Sequence, residues 1–178
     1  MPAQVLVAYA TRYGSTREVA ESIAQTLRER SLEVDVLPIS QVGSLEQYRT
    51  VVLGTPLYIG SWLKDFGRFL TRNQAALSTR TVAVFGLGPC IDPTSEAERK
   101  SARDQLDAQL AKLAWLKPVA VTMFGGKYDP AKLRGLDKVI AVLPASPLHN
   151  VSATDARDWD AIRAWAEGLA ETLLSRRS

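Results

Sequence analysis

The sequence predicts a doubly wound α/β fold with a five-stranded parallel sheet, and three observations carry that prediction. Five short apolar runs recur along the chain, helical periodicity follows most of them, and glycine, proline and hydroxyl residues gather where strands should end. Strictly alternating strands and helices imply a parallel sheet covered on both faces.

Val5 to Ala10 is a continuous apolar run, the pattern of a strand buried on both sides, and Ser15 to Arg30 repeats Val19, Ile23 and Leu27 at helical spacing. Val34 to Ile39 reads as a second strand, and its Pro38 places it at a sheet edge. Thr50 to Thr55 is a third strand, and Lys64 to Ala76 a helix with Phe66, Phe69 and Leu70 on one face. Thr81 to Gly86 is the fourth strand, Thr94 to Ala114 a charged helix, Val119 to Phe124 the fifth strand, and Asp155 to Leu174 the closing amphipathic helix. Between Gly125 and Thr154 there is more chain than a turn requires, read as an extra helix at Leu136 to Leu143 plus a loop.

The 178 residues contain no Pro/Gly/Ser-rich or charge-run divider, so a single domain, 1–178, is expected. A 46% hydrophobic share with both charge signs interspersed describes a globular protein and excludes a disordered one. Val5 to Ala10 lacks a basic lead and is too short to span a bilayer, and the lone Cys90 forbids an internal disulfide, so a cytoplasmic location is expected. The net charge of +3 is mild, and no basic run interleaves with aromatics, so nucleic acid is not an expected partner. No cluster has metal-ligand spacing, and His149 reads as an exposed loop residue.

In such sheets ligands bind at the carboxyl ends of the strands where strand order reverses, which directs attention to three loops. The first is Thr11-Arg12-Tyr13-Gly14-Ser15-Thr16, between a buried strand and a helix N-terminus. Free backbone N–H groups and the helix dipole favour a phosphate there, and Gly14 permits close approach. Both the Walker and GxGxxG patterns are absent. Taken alone, the loop is equally well an ordinary polar turn with Ser15 or Thr16 as a cap. The second loop, Thr55-Pro56-Leu57-Tyr58-Ile59-Gly60-Ser61-Trp62, offers a flat ring a stacking partner, Tyr58 better than Trp62, which equally anchors the following helix. The third, Gly86-Leu87-Gly88-Pro89-Cys90, lets backbone amides face a ring edge. One phosphate cradle and two ring-flanking loops suit a mononucleotide.

On these residues the chain resembles the flavodoxin family, whose first loop is T-x-x-G-x-T after an apolar strand and whose ring-binding loops follow strands three and four. The resemblance implies strand order 2-1-3-4-5 and flavin mononucleotide (FMN) as cofactor. Thr11, Arg12, Tyr13, Gly14, Ser15 and Thr16 would hold its phosphate, Thr55, Pro56, Leu57, Tyr58 and Gly60 would lie along the isoalloxazine, and Gly86, Leu87 and Gly88 would approach its other edge. Against the small electron carriers, the third loop lacks aromatic and acidic residues and the net charge is basic. Phe124-Gly125-Gly126 with Tyr128, the extra segment to Thr154 and the ending Arg157-Asp158-Trp159-Asp160-Ala161-Ile162 are similar to the menaquinone-dependent protoporphyrinogen IX oxidases, although members commonly carry Asp where this chain has Tyr13. That similarity implies a quinone and a porphyrinogen as substrates, entering near Tyr58, Trp62, Lys127 and Tyr128, with peripheral contact at the inner face of the membrane through the extra segment.

A response-regulator receiver is rejected, because Tyr9-Ala10-Thr11 and Gly54-Thr55-Pro56 stand where its acids should be. A cysteine phosphatase is rejected because the residue six after Cys90 is Glu96, not Arg. Cys90 reads as a small apolar residue. The competing functions are an FMN oxidoreductase, an electron carrier serving a redox partner protein, a quinone reductase, and a binding protein that has lost its flavin.

Overall fold

The computed structural model describes residues 4–88, 92, 94–146 and 148–176. The five expected strands form one parallel sheet: β1 (Val5–Tyr9), β2 (Val34–Pro38), β3 (Thr50–Tyr58), β5 (Thr81–Gly88) and β6 (Ala120–Gly125), in the order β2-β1-β3-β5-β6. Counting only these strands, the order is the expected 2-1-3-4-5. Registers are continuous, with Val5 opposite both Val34 and Thr50, and Thr50 opposite Thr81. β2 pairs only with β1, so Pro38 does lie on an edge strand.

Side-chain alternation along the strands divides the core in two. Val5, Val7 and Tyr9 face α1 (Ser15–Glu29) and α6 (Trp159–Ser175), meeting Val19, Ile23, Leu27, Ile162 and Leu169. Leu6, Ala8 and Ala10 face the opposite layer, with Phe66, Phe69 and Leu70 of α2 (Lys64–Arg72), Leu77 of α3 (Gln74–Ser78) and Leu106 of α4 (Glu96–Ala111). On the first side Trp165 packs edge to face against Phe85 and Phe124, which are tilted on one another, with centroids 6.0–6.4 Å apart. Gly54 is needed for the same packing, since a Cβ there would stand 2.1 Å from the Phe85 ring.

Several boundaries differ from expectation for local reasons. The helix expected over Lys64 to Ala76 breaks at Asn73, whose side-chain amide donates to the Phe69 carbonyl. α4 begins at Glu96 because Ser95 caps it, accepting from the Glu98 amide. The last helix begins at Trp159 rather than Asp155, because Asp158 is its cap and Asp155 belongs to β8 (Thr154–Asp155). β8 pairs antiparallel with β7 (Lys127–Tyr128), a two-stranded sheet the alternation did not reveal. A further short strand, β4 (Ser61–Trp62), folds antiparallel onto β3. The extra helix is present as α5 (Leu136–Val142).

Candidate functional site

β1 ends at Tyr9 opposite Gly54, while β3 runs on to Tyr58. The last residues of β3 therefore have no partner on the β1 side, and this is where strand order reverses. Pro56, lacking an N–H, falls in that unpaired stretch. β3 and β5 both extend further than periodicity suggested, so Thr55 to Tyr58 and Gly86 to Gly88 lie on strand ends rather than in loops.

The first loop turns tightly from β1 into α1. The Thr11 hydroxyl accepts from the Gly14 amide at 2.9 Å, and Gly14 adopts φ 92°, a conformation open to glycine, as the residue preceding the helix. No side chain caps α1, so its first N–H groups are left for a ligand. Thr16 is fully buried and its hydroxyl has no hydrogen-bond partner. An unsatisfied buried hydroxyl costs about 1–3 kcal/mol. Such an orphan in an uncapped helix start fits a phosphate oxygen, so the residues present suit the FMN phosphate.

Arg12 and Tyr13 point to a third group. The Tyr13 hydroxyl donates to the Asp137 carboxylate of α5, and Arg12 pairs with the same carboxylate at 2.8 Å while lying 5.8 Å over the Tyr13 ring. Burial and the bond to Asp137 push the Tyr13 hydroxyl above its ordinary pKa. Arg12 and Tyr13, with Ala131, Lys132, Leu133 and Arg134, line a cleft of about 460 Å³. A larger open groove, about 820 Å³, runs between α1 and β2 and is lined by no residue of the three loops.

At the second loop Thr55, Pro56 and Leu57 are buried, and the Leu57 side chain belongs to the core, so only its backbone is open to a ligand. Tyr58 keeps 39% exposure, yet burial and the neighbouring Tyr13 hydroxyl push its pKa up to about 12. It is a neutral donor throughout the physiological range. Ile59 and Gly60 form the turn into β4, with φ 49° and 74°. Positive φ is unusual for a β-branched residue, and the Ile59 side chain stands 96% exposed. α4 holds this turn: the Gln109 amide donates to the Gly60 carbonyl at 2.7 Å, and the buried Gln105 Oε1 beside it has no partner. Trp62 packs edge to face on Phe66 at 5.4 Å and anchors α2.

At the end of β5, the glycines serve packing. A Cβ on Gly86 would stand 2.4 Å from the Met123 sulfur, and one on Gly88 2.6 Å from Met123 and 2.8 Å from Ala102. Leu87 is in the core, and the Gly88 carbonyl accepts from the Gly126 amide at 3.0 Å. Pro89 and Cys90 lie outside the described residues. His149 is half-buried rather than exposed, with an unpartnered Nδ1.

Behind the first loop, Arg157 is almost fully buried at its side chain and joins Glu18 of α1 at 2.5 Å to Asp155 of β8 at 2.6 Å, under the Trp159 ring at 4.8 Å. Arg157 holds the Asp155 carboxyl below its usual range. Lys127 stands 3.9 Å from the same carboxylate. Asp137, Gln105 and Gln109 escaped the sequence reading, although the i, i+4 spacing of the glutamines puts them on one face of α4. Among the described residues there is no metal-ligating cluster, and no helix is long and apolar enough to cross a membrane.

A family model described as the flavodoxin domain matches residues 6–146. Over 86 residues the chain is 27% identical to the protoporphyrinogen IX dehydrogenase [quinone] of Escherichia coli K12, an alignment spanning 47% of this chain and 48% of that protein. The matched stretch thus spans about half the length of that curated relative. An archaeal flavodoxin superposes with TM-score 0.58 at 16% identity, covering 94% of this chain and 96% of the other. The rubredoxin oxygen:oxidoreductase of Desulfovibrio gigas superposes with TM-score 0.55 at 14% identity, covering 98% of this chain and 37% of the other. Both structures share the fold.

Proposed function

From the premise that the chain belongs to the flavodoxin domain family, whose cofactor is FMN, we propose that it is an oxidoreductase that oxidises a porphyrinogen and reduces a quinone. The observation that carries this reading is the wall beside the first loop, where Asp137 of α5 reaches both Arg12 and Tyr13 and a cleft opens next to them. A protein serving only as an electron carrier has no use for a walled cleft beside its cofactor loop. The partial identity to a quinone-linked protoporphyrinogen IX dehydrogenase supports the choice of substrates.

Bound FMN supplies the redox chemistry, taking up hydride equivalents and giving them up again. The chain's own residues position and shield it. The N–H groups that open α1 and the Thr16 hydroxyl would hold the phosphate, and the backbone from Thr55 to Gly60 would face the ring. Tyr58, neutral up to about pH 12, donates a hydrogen bond without adding charge. Each turnover removes two electrons and two protons from the porphyrinogen and delivers both to the quinone, which leaves as hydroquinone. The exposed apolar side chains of α5, Leu136, Val139, Ile140 and Val142, suit contact with the lipid surface from which a quinone is drawn.

The test is anaerobic turnover of FMN-loaded protein with protoporphyrinogen IX and menaquinone. Quinone-dependent porphyrin formation is the expected result. Rapid flavin reduction by a reductase without porphyrinogen turnover would make the chain a carrier, and a folded protein that retains no FMN would end the redox reading.

A further inference from the structure

The cleft between the first loop and residues 131–134 gathers more positive charge than its ion pair with Asp137 neutralises. Arg12, Lys132 and Arg134 all line its 460 Å³. Arg12 is paired with Asp137, whereas neither Lys132 nor Arg134 has an ion pair among the described residues. Keeping three cations together in one concavity is unfavourable unless an anion visits it. The uncapped α1 N-terminus and the orphaned Thr16 hydroxyl suit the cofactor phosphate without drawing on Lys132 or Arg134. The cleft lies beyond the carboxyl ends of β1 and β6, the same edge of the sheet that carries the ring-binding end of β3 at Tyr58. An anion seated there would be attached to a molecule lying over the flavin.

We propose that this cleft is an anion subsite, and that it receives the carboxylate side chains of the substrate oxidised at the flavin. The inference rests on the porphyrinogen reading, since a porphyrinogen carries propionates at its rim while its reacting carbons are apolar. Lys132 and Arg134 bind the carboxylate and Arg12 completes the site, while the Tyr13 hydroxyl stays donated to Asp137 and holds the wall in place. Asp137 limits the site by holding one side of the Arg12 guanidinium, so binding falls as salt screens the remaining charges. The cleft is roomy enough for a short acid side chain.

FMN-loaded protein titrated with protoporphyrin IX, and separately with its dimethyl ester, tests this by flavin fluorescence and the porphyrin absorption band. The free acid should bind about tenfold more tightly than the diester, and the double variant Lys132→Ala/Arg134→Ala should lose that preference while keeping its FMN content and melting temperature. Equal binding of acid and diester by the unaltered protein, or an undiminished preference in the double variant, would overturn the subsite. So would a double variant that loses only its binding to phosphatidylglycerol vesicles, which would make the charges a membrane contact. Tight, charge-dependent porphyrin binding without quinone-linked turnover of the porphyrinogen would instead defeat the functional reading and leave the subsite standing.

Discussion

The sheet and the segment from Gly126 to Asp158 are held by different kinds of bond. In the sheet β1 is buried throughout, both faces are covered by apolar helices, and ladder hydrogen bonds run unbroken from β2 to β6. In the segment α5 buries only Ala141, and Leu136, Val139, Ile140, Val142 and Leu143 face solvent. What ties it down is polar: Asp137 to Arg12 and Tyr13, and Arg157 between Glu18 and Asp155. The difference teaches that the fold owes little to the segment, whereas the cleft beside the first loop depends on it. Apolar burial makes the frame, and a few charged contacts place the wall.

That contrast can be broken at the point where frame and ligand meet. Thr16→Glu puts a carboxylate in the phosphate cradle, and FMN affinity should fall by at least a hundredfold, read by flavin retention after desalting, while circular dichroism shows a folded chain. Flavin retained in that variant would remove the phosphate from this loop. Within the frame, Gly54→Ala drives a methyl into the Phe85 ring and should cost about 1–3 kcal/mol, measured as a lower urea midpoint. A neutral result would mean that the ring moves aside and the core is looser than the contacts imply.

Smaller effects sharpen the other half of the comparison. Arg157→Gln should cost about 1 kcal/mol at neutral pH, because its partners are half exposed. Asp155 has a depressed folded pKa, so its contribution is present above the unfolded carboxylate value of about 3.9 and is lost as pH falls through the lower folded value. The variant should therefore unfold at higher pH than the unaltered protein in an acid titration. Least disruptive should be Leu136→Asp/Val139→Asp on the exposed face of α5, within about 0.5 kcal/mol of unaltered stability. The same pair should abolish any sedimentation with lipid vesicles. A large stability loss there would show that α5 is part of the core after all.

The frame was legible because its signals are local. Val5 to Ala10, Thr50 to Thr55 and Thr81 to Gly86 are apolar runs that nothing but a buried strand explains, and Val19, Ile23 and Leu27 declare the inward face of α1. The tight turn of the first loop was legible for the same reason, as Gly14 and the hydroxyls stand beside the start of α1. The second and third loops were less so. Tyr58 is exposed at the turn and Gly60 half-buried, but Leu57 and Leu87 went to the core and Gly86 and Gly88 to close packing, roles that composition cannot separate from ligand contact. β4, β7 and β8 have two residues each, too few to show a period.

By itself, then, the sequence determined the strand order's family of folds, the two-faced core and the tight first turn, because each is written in neighbouring residues whose burial or turn chemistry has one outcome. Only the tertiary structure decided that Asp137 closes on Tyr13 across 124 positions and that Arg157 reaches back to Glu18 across 139. Charged side chains have no periodic signature, and which of many surface acids meets which base is settled by where the apolar frame delivers them.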